Sequence, residues 1–343
     1  MVRTGLSFGV SLAALMGAII APAQADSIED FYRGTAFKLL VASGPGGGYD
    51  TYTRVLGRHI GRHIPGQPNI VIQNMPGASG LKATNYIAQA APKDGSTMLA
   101  TYNAMLIEPL IGGVAAQFDV HRLNWIGSIS KVQNICVTWH SSPIKRIEDA
   151  MSREVTTAST GATGNSATLP RLLNQIIGTK FKVIMGYSTT DARLAVERGE
   201  VDGLCGYSYA TLLASSPDWI KNDKINILIQ NGLKPHPKLP DVPLTMSKIK
   251  LEPDKALLRL YSAAEEIGRP YVAPPDSPVE RIQALRRAFD ATLRDPAFLA
   301  DAEKSNLEVD PLTGEEIHAL LREVYASDPK VVEQIRELVN RSE

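Results

Sequence analysis

"GPGGGYDTYTR", residues 44–54, sets glycines at 44, 46, 47 and 48 between an apolar run and a stretch able to open a helix. A glycine-rich turn at such a junction exposes backbone N–H groups at the positive end of a helix, a ready grip for an anion. What kind of anion follows from the neighbours. A Walker loop needs Gly-Lys-Ser/Thr after its last glycine, whereas Gly48 is followed by Tyr49 and Asp50. The dinucleotide pattern GxGxxG fits Gly44 and Gly46 and fails at Tyr49. With no lysine to meet phosphates and an acid facing them, the loop suits a softer anion such as a carboxylate, held partly through ordered water. Asp50 reads as the N-cap of a helix reaching to about His63. The plainer alternative is a turn that only lets strand and helix pack closely.

Outward from the loop, short apolar runs alternate with helical patterns. "FKLLVAS" reads as a strand before it; "PNIVIQNM" and "STMLATY" read as strands after it, with "LKATNYIAQAA" a helix between them. Strands alternating with helices across short loops predict a parallel sheet covered on both faces. The pattern restarts at about residue 130 with strands at "NICVTW", "EVTTAST", "FKVIMGY", "VDGLCGY" and "INILIQNG" and helices at "ATLPRLLNQIIG" and "TTDARLAVERGE". Pro170 is compatible with the first of those helices only in its first turn. The proline-rich "LKPHPKLPDVPL" predicts an extended connection. Beyond it, Ser277-Pro-Val-Glu280 and Thr313-Gly-Glu-Glu316 both read as capping boxes opening packing helices.

Lys plus Arg equals Asp plus Glu at 36 each in 343 residues, so nothing in the overall charge calls for nucleic acid or an anionic membrane as partner. Arg3, the apolar "GLSFGVSLAALMGAIIA" and the small-residue site "AQA" predict an export leader over 1–25, cleaved after Ala25. Cys136 and Cys205 sit in apolar strand-like runs. An exported protein can pair them; two buried free thiols is the reading slightly preferred here.

Catalytic constellations are thin. His59 and His63 lack the glutamate of HExxH and read as part of a basic solvated face, so no metal and no cofactor is expected. No GxSxG elbow occurs, and Glu200 and Asp202 in "RGEVDG" fit a helix-to-strand turn. No enzyme is indicated.

"LLVASGPGGGYDTYTRVL", "IQNMPGASGLKATNYIA", "APKDGSTMLATY", "GYSTTDARLAVERGEVDG", "LPDVPL" and "YVAPPDSPVERIQALRRAFDATLRDP" together resemble the Bug family, the periplasmic solute-binding proteins of tripartite tricarboxylate transporters. The likeness covers nearly all of the chain after the leader. It implies an α/β fold of the two-domain periplasmic binding protein kind (type II-like), with the ligand cleft between domains joined by crossing strands. Residues 26–129 plus 236–343 would form the first domain and 130–235 the second.

The resemblance further implies a small organic carboxylate held by backbone amides, hydroxyls and waters, without an obligatory arginine. It implies delivery to integral-membrane permease subunits by a monomer. Carried over by position, the first clamp is Ser43, Pro45, Gly46, Gly47, Gly48, Tyr49 and Asp50, joined by Gly77, Ala78 and Ser79 and by Tyr102 and Asn103. The opposing clamp is Thr160, Gly161, Ala162, Thr163, Gly164, Asn165 and Ser166, with Tyr187 and Ser188 beside it. Departures from the family pattern at Ser43, Tyr49 and "MGYSTT", and an extra residue between the glycines of the second loop, fall on the expected pocket wall. Ligand identity therefore does not transfer. Two other readings share the features: a sensing subunit for a receptor kinase, separable by neighbouring genes, and an exported enzyme acting on carboxylates, which would need a nucleophile–base pair in the cleft.

Overall fold

The computed structural model describes residues 1–2, 27–111, 115–162 and 164–340; the expected leader from residue 3 onward and its cleavage point lie outside the described residues. Among the described residues eleven strands run in chain order: β1 (Ala36–Val41), β2 (Asn69–Asn74), β3 (Thr97–Ala100), β4 (Asn124–Ser128), β5 (Asn134–Trp139), β6 (Val155–Ser159), β7 (Phe181–Met185), β8 (Gly203–Ser208), β9 (Ile225–Asn231), β10 (Pro270–Ala273) and β11 (Leu312–Thr313). They form a six-stranded sheet, β11-β4-β10-β3-β1-β2, and a five-stranded sheet, β7-β6-β8-β5-β9.

Each sheet is mixed rather than parallel. β1, β2 and β3 pair in parallel, as do β6, β7 and β8. β10 runs antiparallel to both β3 and β4, and β5 antiparallel to both β8 and β9. The departure has a topological cause. β5 enters the second sheet directly from β4 of the first through a short link, so no helical crossover sets it parallel.

Period-two alternation puts apolar side chains on both faces of each sheet. In the first, Phe37, Leu39, Met98 and Tyr271 meet the Gly48–Ile60 and Val279–Arg294 helices, while Leu40, Leu99 and Val272 meet the Leu81–Gln89 and Gly314–Tyr325 helices. In the second, Val155 and Cys205 share a cluster with the Asn165–Ile177, Glu252–Ile267 and Pro329–Asn340 helices. Ile135, Val137 and Leu204 share the opposite cluster with the Thr189–Glu197 and Tyr209–Ser215 helices. Among the described residues no helix is long and apolar enough to cross a membrane.

Several local expectations change. Cys136 and Cys205 are paired residues on β5 and β8 and form a disulfide, not two free thiols. Thr313 opens its helix with the expected capping box: its hydroxyl accepts from the Glu316 N–H and Glu316 accepts from the Thr313 N–H. Ser277 does not cap. Its hydroxyl donates to the Pro274 carbonyl, Pro278 stays extended, and the helix begins at Val279. The helix carrying Pro170 begins at Asn165, so the proline falls in its second turn and offers no N–H to the Ser166 carbonyl. The "GRHIGRH" face is not simply solvated. His59 and Arg58 both meet Asp301, and His63 and Arg62 both meet Asp295. Among the described residues no side-chain cluster suits a metal ion.

Candidate functional site

The first loop rises from the C-terminal end of β1, where open α/β sheets present their ligand crevice. Its helix is Gly48–Ile60 with Gly47 at the N-cap, so Asp50 lies inside the first turn and is not the cap. The reason is visible in its contacts. The buried carboxylate reaches backward to accept the Gly46 N–H at 2.8 Å, and it also takes Asn74 Nδ2 at 2.8 Å and Arg54 Nε at 2.9 Å. The Gly47 N–H turns to the Gly44 carbonyl. What is left for an outside anion is the start of the helix itself, whose first-turn amides have no intrahelical acceptor.

Burial would raise the Asp50 carboxyl, but Arg54, the Gly46 N–H and Asn74 together hold it below its ordinary value. The stability it supplies is therefore present at neutral pH and lost as pH falls through that depressed pKa. Asp50→Ala is expected to cost about 2 kcal/mol, because it removes a buried charged acceptor shared by the Gly46 N–H, Asn74 and Arg54. Urea denaturation at pH 7 measures it; an unchanged midpoint would show that the loop holds its shape without the acid.

The second loop leaves β6 in the same manner. Ser166 anchors it, its hydroxyl lying 3.0 Å from Ser159 Oγ and accepting the Thr160 N–H at 3.1 Å. Gly164 caps the Asn165–Ile177 helix. Thr163 lies outside the described residues. This loop faces the first sheet across the crevice: Asn165 Nδ2 donates to Asn103 Oδ1 at 3.3 Å. Ser79 presses against it from the opposite side, in a left-handed backbone (φ 52°) that follows another at Ala78 (φ 45°). A Cβ on Gly161 or Gly164 would come within 2.7 or 2.8 Å of Ser79 Oγ, so a larger residue there would turn the Ser79 hydroxyl aside. The Ser79 hydroxyl is buried with no hydrogen-bond partner. Left-handed backbone and an orphaned buried hydroxyl thus coincide at one residue of the cavity wall.

Between the loops lies a cavity of about 90 Å³. That is several times the space one water needs and small beside a drug-sized site. From the expected set, Ser43, Gly48, Tyr49, Ser79, Tyr102 and Asn103 form one wall, and Thr160, Gly164, Asn165 and Ser166 another. Pro45, Gly46, Gly47 and Asp50 shape the first loop, Gly77 and Ala78 lead into Ser79, and Gly161 and Ala162 belong to the second loop. Tyr187 and Ser188 precede Thr189, which does line the wall; the Ser188 hydroxyl caps the following helix by accepting the Asp191 N–H. Tyr49 ties the wall together: its hydroxyl accepts the Asn103 N–H and donates to the Gly268 carbonyl, and its ring stands edge-on to Tyr102. Burial raises the Tyr49 phenol, with Arg269 and the Asn103 N–H opposing, so it stays neutral.

Reading the sequence missed the floor of the cavity. Its polar members are Asn134, Tyr207, Ser208, Thr211 and Arg269, set among apolar residues such as Val132, Ala158 and Leu204. Arg269 is 1% exposed and stands between the end of the Glu252–Ile267 helix and β10. Its guanidinium lies 4.1 Å from the Tyr52 ring centroid. Asn134 Nδ2 donates to the buried Glu265 just behind the floor. The described lining contains no aspartate, glutamate, lysine or histidine. Chemically this is a partly open cavity of mixed apolar and hydrogen-bonding lining with one fixed positive charge, able to hold a small anion.

Residues 53–336 match the family described as tripartite tricarboxylate transporter family receptor (TctC). A UPF0065 protein of Bordetella bronchiseptica is 25% identical over 304 residues, spanning 86% of this chain and 83% of the relative. Among solved structures, the periplasmic binding protein BugD superposes with a TM-score of 0.72 at 20% identity, covering 90% of this chain and 98% of BugD. MatC of Rhodopseudomonas palustris with bound malate gives 0.69 at 16% identity, covering 88% and 99%. An R. palustris protein with adipate gives 0.68 at 17% identity, covering 88% and 97%. These likenesses bear out the two-domain periplasmic binding protein fold expected from the sequence, and the chain belongs to the tripartite tricarboxylate transporter receptor family of periplasmic solute-binding proteins, which includes the Bug proteins.

Proposed function

We propose that the chain is an exported solute-binding protein that closes over a small organic carboxylate and hands it to the integral-membrane permease subunits of a tripartite tricarboxylate-type transporter. The observation that carries this reading is the chamber itself: helix starts from both sheets, hydroxyls and amide side chains converge on about 90 Å³ whose described lining has no acidic side chain. Malate and adipate in solved relatives of the same fold support the ligand class. Capture needs no reaction, since an acid touching both loops favours the shut arrangement over an open one that offers only half the contacts. The leader expected over residues 1–25 agrees with action outside the cytoplasm.

Native mass spectrometry of freshly purified protein, followed by thermal-shift measurements with malate, succinate and adipate, tests the reading. At least one such acid is expected to raise Tm by several degrees at a concentration about 100 times its Kd, where linkage supplies about 2.7 kcal/mol. A folded protein indifferent to every small carboxylate would refute it.

A further inference from the structure

Resting on the carboxylate reading, we infer that Arg269 is the charge-selecting residue of the cavity, admitting acids that carry no amino group and rejecting their α-amino counterparts. The argument begins with the arginine's surroundings. Its Nη1 donates to Ser130 Oγ and the Lys131 carbonyl, its Nη2 to Ser208 Oγ and Thr211 Oγ1, and its backbone N–H to Ser128 Oγ. Every one of those acceptors is neutral. The remaining donor, Nε–H, is buried and has no partner. The nearest acids along the chain are engaged elsewhere, Glu265 with Asn134 and Asn231 and Glu266 with Lys131. Arg269 is therefore a buried charge in the cavity wall with no acidic partner among the described residues, and its burial makes each interaction of that charge stronger than in water.

An acid entering the cavity supplies the missing counter-charge through the field of the guanidinium, whose buried Nε–H has no acceptor of its own. An α-ammonium group meets the opposite situation. It would lose its water beside a like charge, in a described lining that contains no carboxylate to receive it. Ser208 and Thr211, on the second sheet's side, hold the two Nη1/Nη2 prongs in place with Ser130, so the charge cannot swing aside to make room. Tyr52 covers one face of the guanidinium.

The test compares succinate with aspartate, which share a carbon skeleton and differ by the amino group, by calorimetry at pH 7.5 on wild type, Arg269→Gln and Arg269→Lys. Wild type is expected to bind succinate at least about 100-fold more tightly than aspartate. Arg269→Gln, shown to be folded by circular dichroism, is expected to lose most of its succinate affinity and to bring the ratio of the two affinities close to one. Arg269→Lys keeps a charge and is expected to keep the preference at lower affinity. An arginine that only braces the fold would lower Tm in Arg269→Gln and leave the ratio unchanged, and that result in the folded variant overturns the inference, as does a ratio near one in folded Arg269→Lys, which keeps the charge. So does a wild-type ratio near one, which needs no variant at all. If wild type binds no C4 acid and no other small carboxylate, the carboxylate reading falls and this inference falls with it; if succinate binds and the ratio is insensitive to Arg269, only this inference falls.

Discussion

Alanine in place of Gly206 is expected to lower the stability of the fold by about 3 kcal/mol and to weaken ligand capture with it. Gly206 is the extra residue of a bulge on β8: Cys136 is opposite Cys205, and the next register pair is Ile135 with Tyr207. Its φ is +68°, a left-handed backbone that glycine adopts without cost and alanine does not. The bulge also resets the alternation of the strand. Cys205 faces one apolar cluster and Tyr207, two residues on, faces the opposite one with Leu204, which a regular strand would forbid. A Cβ at this position would lie 2.0 Å from the Asn165 carbonyl oxygen and 2.9 Å from the Ser166 nitrogen. Those atoms are backbone in the first turn of the second clamp's helix, so relief requires moving the amides that face the cavity. Gly199→Ala makes the control, since Gly199 has φ +71° and no atom within 4 Å of the added carbon; it isolates the backbone term at about 1 kcal/mol. Equal losses for the two variants in urea denaturation would show that the helix start yields to the methyl group and that the bulge is not a constraint on the site.

The contrast between Gly206 and the loop at residues 44–54 explains what a reader of the chain can and cannot extract. The strand–loop–helix order around Gly44–Gly48 is local: glycine content, apolar period and helix-forming residues all lie within one window, and the loop does line the cavity at Ser43, Gly48 and Tyr49. The Thr313 capping box is local too. Asp50 was placed at the cap from the same window, yet its position is decided by Asn74, 24 residues away, and by Arg54 one turn on. The disulfide depends on the register of β5 against β8 across a separation of 69 residues, which no spacing rule reports. Arg269 was hidden for a different reason. It lies two residues before "YVAPPDSP", the stretch that carried the family resemblance, in a position that reads as the polar edge of a strand. The signal was present in "IGRPYVA": a charge directly ahead of an apolar strand, between a helix-ending glycine and a proline, at the end of a sheet where a cleft was already expected. Mixed pairing in both sheets was likewise out of reach, because it follows from which strand crosses between the domains rather than from any strand's own composition.

Glu265→Gln is expected to make the protein more stable, by about 3 kcal/mol at pH 7. The carboxyl is 2% exposed in the Glu252–Ile267 helix, at the junction where β5 enters the second sheet and β9 ends. Asn134 Nδ2 donates to Oε1 at 2.6 Å and Asn231 Nδ2 to Oε2 at 2.8 Å, but no cation pairs with it among the described residues. Burial pushes its pKa up to about 8, with Glu266 adding to the rise and the two asparagines opposing it. An unfolded glutamate ionises near 4.5, so between that value and about 8 the folded chain holds a proton that the unfolded chain has released. Rising pH across that window favours unfolding, at about 1.4 kcal/mol per unit. Glutamine keeps the shape and removes the ionisation. Asn231 Oδ1, buried and without a partner, is available to accept from the new amide once the Asn231 side chain turns over. The variant should therefore match wild type near pH 4.5 and pull ahead progressively to pH 8. Taking the difference between the two proteins at each pH cancels the opposite trends from carboxylates such as Asp50 and Asp301, whose pKa values are lowered. Because Asn134 also lines the cavity, ligand affinity measured in parallel separates a purely energetic effect of the buried acid from one that reaches the floor of the site. A wild-type advantage at pH 7.5 would mean that Glu265 is ionised in the folded protein, and that its asparagine partners outweigh the cost of burying its charge.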